Sequence, residues 1–184
     1  MKKIAILAAL KSEFVNDEDF PHEIKYTGVG KINAARSTTQ LILEEKPSLI
    51  VNVGTAGALS KLMSGIYIVN EVIEHDMNAE PLSKRGTVPF EDTESMFRSD
   101  IGDTKCATGD SFVTTIDPWL FNEKVSLVDM ELFAIAKVCN HYGIPWRSMK
   151  FVSDYADNNS GRSWKDSLHK SNLEIKEAIQ EILS

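Results

Sequence analysis

Residues 48–57 read Ser-Leu-Ile-Val-Asn-Val-Gly-Thr-Ala-Gly, an apolar run of strand length that passes directly into a glycine-rich stretch. A continuous apolar run is typical of a strand that is covered on both faces. In the preceding segment, Lys31 to Glu45, the apolar side chains are spaced at helical intervals, and Pro47 ends that pattern. A helix that leads into a buried strand predicts an α/β fold, with a turn at Gly54 to Gly57.

Strands and helices alternate along the rest of the chain. The apolar patterns predict strands at Ile4–Leu10, Glu23–Gly28, Gly65–Ile73, Cys106–Thr108, Phe112–Thr114, Leu127–Met130 and Met149–Ser153, and helices at Glu131–His141 and Trp164–Leu183. Residues 76–104 show no clear period and predict a long loop. We therefore expect residues 1–184 to form one α/β domain with a mixed, mostly parallel twisted sheet flanked by helices.

The composition is that of an ordinary folded protein. Of the 184 residues, 42% are hydrophobic and 26% are charged, which excludes a disordered or low-complexity chain. No apolar run reaches the roughly 18–20 residues that span a bilayer, and the net charge of −7 disfavours nucleic-acid binding. Cys106 and Cys139 show no CxxC spacing and fit reduced thiols better than a disulfide framework. We expect a cytoplasmic protein with no nucleic-acid or membrane partner.

Three carboxylates follow predicted strands. Glu13, Glu131 and Asp154 each come shortly after an apolar run, and in α/β sheets ligands bind beyond the carboxyl ends of the strands. Carboxylates that share a semi-apolar pocket can have their pKa values pushed apart, so that one acts as a base while another holds a proton. Cleavage of an N-glycosidic bond needs such a set. Each carboxylate taken alone is equally consistent with a solvated residue near a helix N-terminus.

Two other features give weaker signals. Gly28-Val29-Gly30 begins like a dinucleotide fingerprint, but the third glycine is missing and no P-loop lysine follows, so a plain strand-to-helix turn is the better interpretation. His75-Asp76 is a single pair with no second cluster of metal ligands, whereas metal sites usually need three or four ligands. We expect neither a metal nor a cofactor.

Taken together, the motifs resemble the purine nucleoside phosphorylase/nucleosidase superfamily, and within it the 5′-methylthioadenosine/S-adenosylhomocysteine nucleosidases. The matching pieces occur in the family's order and cover most of the chain. They are Ile4 to Leu10 with Glu13, Gly28 to Ala35, Asn52 to Gly57, Gly109 to Val113, Val128 to Glu131, and Ser153 to Asp157.

The resemblance implies a role for each matching residue. Glu13 would activate water, Asp154 would donate a proton to N7 of the purine, and Glu131 would accept hydrogen bonds from the ribose hydroxyls. The implied substrate-binding residues are Thr55 near the attacking water, Ala56, Gly57, Phe112 stacking on the base with Ser111 and Val113 beside it, Asp129, Met130 under the sugar, Ser153 supporting Asp154, and Leu10 and Trp164 at the 5′-substituent.

The resemblance also implies a nucleoside phosphorylase-like three-layer fold, a homodimer and hydrolysis of an adenine nucleoside. A phosphorylase of the same fold would need cations for its phosphate, and Val51-Asn52-Val53 lacks the arginine that the hexameric phosphorylases carry there. A catalytically weak nucleoside-binding protein is the second alternative. Lys150 and Asp129 stand where the family carries Arg and Glu, and the middle segment is shorter. These departures leave the 5′-substituent open and keep 2′-deoxynucleosides, inosine and futalosine-type substrates as alternatives.

Overall fold

The computed structural model describes residues 3–15, 20, 22–115 and 117–183. Over these residues the chain forms, in order, β1 Ile4–Ala8, β2 Ile24–Tyr26, α1 Lys31–Glu45, β3 Leu49–Ala58, β4 Ile66–Glu74, β5 Met96–Arg98, β6 Thr104–Thr108, α2 Pro118–Asn122, β7 Leu127–Asp129, α3 Leu132–Tyr142, β8 Trp146–Asp154 and α4 Ser160–Leu183. That residues 1–184 form one domain stays a prediction, and its ends at residues 1–2 and 184 lie outside the described residues.

The strands form a mixed sheet in the order β2-β1-β3-β7-β6-β4-β5, and β8 pairs with both β3 and β4. Strand β1 runs parallel to β2 and β3, β8 runs parallel to β3, and β6 runs parallel to β4 and β7. The pairs β3–β7, β4–β5 and β4–β8 are antiparallel. The predicted fold class, a mixed and mostly parallel sheet flanked by helices, is therefore confirmed.

Helices cover both faces of this sheet. On one face Leu7 of β1 belongs to an apolar cluster with Leu41 of α1 and Ile135 of α3. On the other face its neighbour Ile6 belongs to a cluster with Ile179 of α4. Because successive residues of a strand point to opposite faces, a strand covered on both sides needs apolar residues at every position. This three-layer packing explains the continuous apolar runs of the sequence.

Three local predictions were wrong, and one helix was not predicted. Gly54 to Gly57 is not a turn but the second half of β3, which keeps its pairing with β8 as far as Gly57. Phe112 to Thr114 is not a strand: the segment pairs with no other strand in the described chain, and the Phe112 ring is half exposed. The predicted loop at 76–104 contains β5, which pairs with the edge of β4, and α2 was not predicted. For Gly54 to Gly57 and for β5, pairing with another strand overrides the local pattern. Helix α2 does carry a local signal, the N-cap Asp117 followed by Pro118.

None of the helices in the described ranges combines the length and the apolar character that crossing a bilayer requires.

Candidate active site

A cavity of about 180 Å³ lies at the carboxyl ends of three strands. Strands β1, β3 and β8 run parallel, so their carboxyl ends meet at one edge of the sheet. Strand β7 reaches the same edge by antiparallel pairing with the last residues of β3. The segments that follow β1, β7 and β8 therefore converge on one cavity, as expected for an α/β sheet.

The residues that the sequence predicts for the site lie together at this cavity. All of them except Ser153 line its wall: Leu10, Glu13, Thr55, Ala56, Gly57, Ser111, Phe112, Val113, Asp129, Met130, Glu131, Asp154 and Trp164. The wall also contains Ala9, Val29 and Val128, which the sequence prediction missed. Each of these three lies within or beside a quoted motif, and that proximity is the signal that could have found them. The contacts that any of these residues makes with a substrate stay predictions.

Glu13 is a buried carboxylate surrounded by hydrogen-bond donors. Its Oε1 accepts from the Thr55 hydroxyl at 2.5 Å and from the Thr55 backbone N–H at 3.2 Å, and its Oε2 accepts from the Leu10 N–H at 3.1 Å. The Trp164 indole N–H donates in turn to the Thr55 hydroxyl oxygen at 2.9 Å. Donors on both carboxylate oxygens fix the orientation of Glu13 toward the cavity, which suits a group that takes a proton from water.

Asp154 ends β8 on the wall of the same cavity. Its Oδ2 accepts from the Ser153 hydroxyl at 2.8 Å, and its Oδ1 accepts from the Ala156 backbone N–H at 3.1 Å. A Cβ built on Gly57 of the adjoining strand β3 would come within 2.8 Å of Asp154 Oδ1. The absence of a side chain at Gly57 is what leaves room for this carboxyl.

Glu131 lies at the N-terminus of α3 and contacts the N-terminus of α1. Its Oε1 accepts from the Gly30 backbone N–H at 3.0 Å. Burial first, and the charge of Asp129 second, raise the pKa of Glu131 to about 8, while the Lys150 charge and the Gly30 hydrogen bond oppose the rise. A buried carboxyl poised in this way can ionise when hydroxyl donors approach it.

Asp129, on the cavity wall, forms a buried ion pair with Lys150, which does not line the cavity. Lys150 Nζ lies 2.7 Å from Asp129 Oδ2, which also accepts from the Leu132 N–H at 3.0 Å, and the Thr108 hydroxyl donates to Oδ1 at 2.6 Å. Burial lowers the pKa of Lys150, but the charges of Asp129 and Glu131 outweigh it and hold that pKa above its ordinary value. The lysine thus stays charged and neutralises Asp129.

Two aromatic rings lie side by side on the cavity wall. The rings of Phe112 and Trp164 meet edge to face, with centroids 6.4 Å apart and planes at 65°. Phe112 is half exposed, and Trp164 lies in the first turns of α4. An aromatic face beside a carboxylate-lined cavity is suited to holding a flat base.

The cavity wall is acidic. In the part of the chain that the structure describes, the wall includes four carboxylates, Glu13, Asp129, Glu131 and Asp154, and neither arginine nor lysine. Likewise, the described residues contain no group of three or more His, Cys, Asp or Glu side chains placed to hold a metal ion. Of the predicted pair His75-Asp76, the aspartate instead pairs with Lys31.

Comparison with known proteins agrees with the site's motifs. A 5′-methylthioadenosine/S-adenosylhomocysteine nucleosidase of Staphylococcus haemolyticus is 32% identical, and the match covers 85% of this chain and 80% of that protein. The nucleosidase of the same name from Staphylococcus aureus strain MRSA252 is 29% identical, with 88% of this chain and 80% of that protein covered. The resemblance inferred from the motifs is thereby confirmed.

Solved structures share the fold at lower identity. A mutant MTAN of Helicobacter pylori with 5′-methylthioadenosine in its active site matches with a TM-score of 0.87 at 22% identity, covering 100% of this chain and 98% of that one. The futalosine hydrolase of Helicobacter pylori strain 26695 matches with a TM-score of 0.86 at 22% identity, covering 99% and 97%. The sequence model of the Phosphorylase superfamily matches residues 24–184. Since that match extends over most of the chain, this protein belongs to the Phosphorylase superfamily.

Proposed function

We propose that this protein is a purine nucleosidase that hydrolyses the N-glycosidic bond of an adenine nucleoside such as 5′-methylthioadenosine or S-adenosylhomocysteine. The observation that carries the proposal is the convergence of Glu13, Glu131 and Asp154 on one cavity. The names of the relatives at 32% and 29% identity support the reaction and the adenine base. No cofactor takes part in this scheme.

In the proposed mechanism the leaving base and the attacking water use different carboxyls. Asp154 gives a proton to N7 of the purine as the bond between the base and the sugar breaks, so the base departs neutral. Glu13 takes a proton from a water whose oxygen forms the new bond to C1′. Glu131 accepts hydrogen bonds from the ribose hydroxyls, and the nearby carboxylates stabilise the positive charge that develops on the sugar. The products are a free base and a free sugar.

The remaining wall residues position the nucleoside. Phe112 stacks on the base, with Ser111 and Val113 beside it, and Met130 packs under the sugar. Leu10 and Trp164 form the wall around the 5′-substituent. The location of all these residues on one cavity supports this assignment.

Phosphorolysis is the main alternative, and the lack of cationic side chains in the described wall argues against it. A phosphate dianion would need cationic partners, and the described wall carries neither arginine nor lysine. Lys150, which is buried and does not line the cavity, is already paired with Asp129. Water, which carries no charge, is the better nucleophile for this wall. A weak binding protein would have no use for three convergent carboxyls.

We also propose a homodimer in the cytoplasm. The dimer rests on the family resemblance and on apolar surface beside the cavity: Ile32 of α1 is 82% exposed, and the wall residue Val29 is 40% exposed. The proposal of a cytoplasmic location rests on Cys106 and Cys139, which are both free and buried, because free thiols are typical of a reducing compartment.

Release of free base tests the proposed function. The substrates are methylthioadenosine, S-adenosylhomocysteine, adenosine, deoxyadenosine, inosine and futalosine, each with and without phosphate. We expect adenine release from methylthioadenosine or S-adenosylhomocysteine without phosphate. Release only with phosphate would establish the phosphorylase, and binding without release would establish the binding protein.

A further inference from the structure

We propose that Trp164 is a positioning residue that holds the base Glu13 in its working orientation through the hydroxyl of Thr55. The proposal rests on the proposed function, because it assigns Glu13 the activation of water. Its observation is a chain of two hydrogen bonds: the Trp164 indole N–H donates to Thr55 Oγ1 at 2.9 Å, and that hydroxyl donates to Glu13 Oε1 at 2.5 Å.

The direction of this chain follows from the chemistry of its ends. An indole nitrogen can only donate, and an ionised carboxylate can only accept. The Thr55 oxygen must therefore accept from Trp164, which leaves the single hydroxyl hydrogen pointing at Glu13. Without the indole N–H, the hydroxyl oxygen loses its donor, and one of the two hydrogen bonds that hold the Thr55 side chain in place is gone. Trp164 thus helps to orient the hydrogen bond from Thr55 to Glu13, although it is neither the donor nor the acceptor of that bond.

Helix α4 supports the same segment at one further point. Asn172 Oδ1 accepts from the Val15 N–H at 3.3 Å, whereas the Ser171 hydroxyl, 3.5 Å from the Glu13 carbonyl oxygen, donates its hydrogen to the Leu168 carbonyl oxygen at 2.7 Å. The apolar face of the helix is fixed in the core by Ile175 and Ile179, both fully buried. The segment that carries Glu13 is therefore braced by a rigid helix, and Trp164 extends that bracing to the carboxylate itself.

Trp164 also forms part of the cavity wall against Phe112, and the experiment must separate the two roles. Trp164→Phe keeps an aromatic ring but removes the N–H. We expect kcat for the preferred nucleoside to fall about five- to tenfold, the effect of one hydrogen bond, while KM changes less than threefold. Trp119 packs against Arg85 and lies outside the cavity wall. Trp119→Phe makes the same substitution there and should leave kcat and KM unchanged.

A double-mutant cycle with Thr55→Val gives the decisive result. In the Thr55→Val background the hydroxyl is gone, so Trp164→Phe should change kcat less than twofold. An equal loss of kcat in both backgrounds, or a change confined to KM, would overturn the proposal and leave Trp164 a wall residue. If Trp164→Phe proves unstable, benzothienylalanine at position 164 keeps the ring shape without the N–H and carries the same expectation. An unmodified protein that releases no base would contradict the proposed function instead.

Discussion

At the scale of single residues, the Asp129–Lys150 ion pair places two opposite charges in the protein interior beside the site. Both side chains are almost fully buried, at 0% and 2% exposure. Removing one partner leaves an uncompensated charge in the protein interior, which is far more costly than replacing the whole pair.

Lys150→Met should therefore destabilise the protein by about 3–5 kcal/mol, measured by urea denaturation at pH 7. Lys150→Arg keeps the charge and serves as the matched control, with a smaller loss. The double variant Asp129→Asn/Lys150→Met should recover part of the stability that Lys150→Met loses. If Lys150→Met lowered the free energy of unfolding by less than about 1 kcal/mol, Asp129 would not depend on Lys150 to compensate its charge.

Glu131 should make stability depend on pH. Its pKa rises in the folded protein from the ordinary 4.5 to about 8, so the native state binds the proton more tightly than the unfolded chain. The tighter proton binding of folded Glu131 contributes to the free energy of unfolding. That contribution is fully present below about pH 4.5 and is lost as the pH rises through about 8. Glu131→Gln removes it and keeps an oxygen for the Gly30 N–H.

The measurement compares the two proteins by denaturation between pH 5 and pH 7.5. The stability of Glu131→Gln relative to the unmodified protein should increase by about 2–3 kcal/mol over this range. Parallel pH profiles for the two proteins would show that Glu131 is ionised at both ends of the range.

At the scale of elements, the close approach of β3 to β8 decides where Asp154 lies. A Cβ at Gly57 would come within 2.8 Å of Asp154 Oδ1 and 3.1 Å of Val128 Cγ2, both too close for ordinary contact. A Cβ at Gly54 would meet Glu13 Oε1 at 3.5 Å, an ordinary contact distance. An added side-chain carbon should therefore be tolerated at Gly54 but not at Gly57.

Gly57→Ala should displace the Asp154 carboxyl and reduce kcat/KM at least tenfold, because small displacements of a catalytic group are costly. Gly54→Ala is the matched control and should stay within about threefold of the unmodified enzyme. Adenine release measured at subsaturating nucleoside gives both values. Equal activities of the two variants would contradict the packing argument.

The elements show where sequence patterns suffice and where they fail. Helix α1 begins and ends at the predicted residues, since a helical period with a following proline is a purely local signal. The interpretation of Gly54 to Gly57 as a turn was wrong because β3 continues through these residues in pairing with β8, and Gly57 leaves room for the Asp154 carboxyl. Strand β5 consists of three residues paired with the edge of β4, and its local sequence carries too few residues to show a period.

At the scale of the whole molecule, the motifs predicted which residues line the cavity but not the hydrogen bonds between those residues. The carboxylates were found because each one follows a strand. The hydrogen bond from Gly30 to Glu131 joins residues 101 positions apart, and the hydrogen bond from Trp164 to Thr55 joins residues 109 positions apart. Such contacts depend on how the sheet edge and helices assemble, and no local pattern encodes them.

The central claim, that convergent carboxyls cleave the glycosidic bond with water, is tested most directly at Asp154. The measurement is adenine release by Asp154→Asn in phosphate-free buffer, together with the thermal shift that the same nucleoside produces. Asp166→Asn, on the exposed side of α4, is the matched control.

We predict that Asp154→Asn lowers kcat at least a hundredfold, the usual contribution of a general acid, while the nucleoside still raises the melting temperature. Asp166→Asn should match the unmodified enzyme in both measurements. A near-normal rate of adenine release by Asp154→Asn would contradict the account.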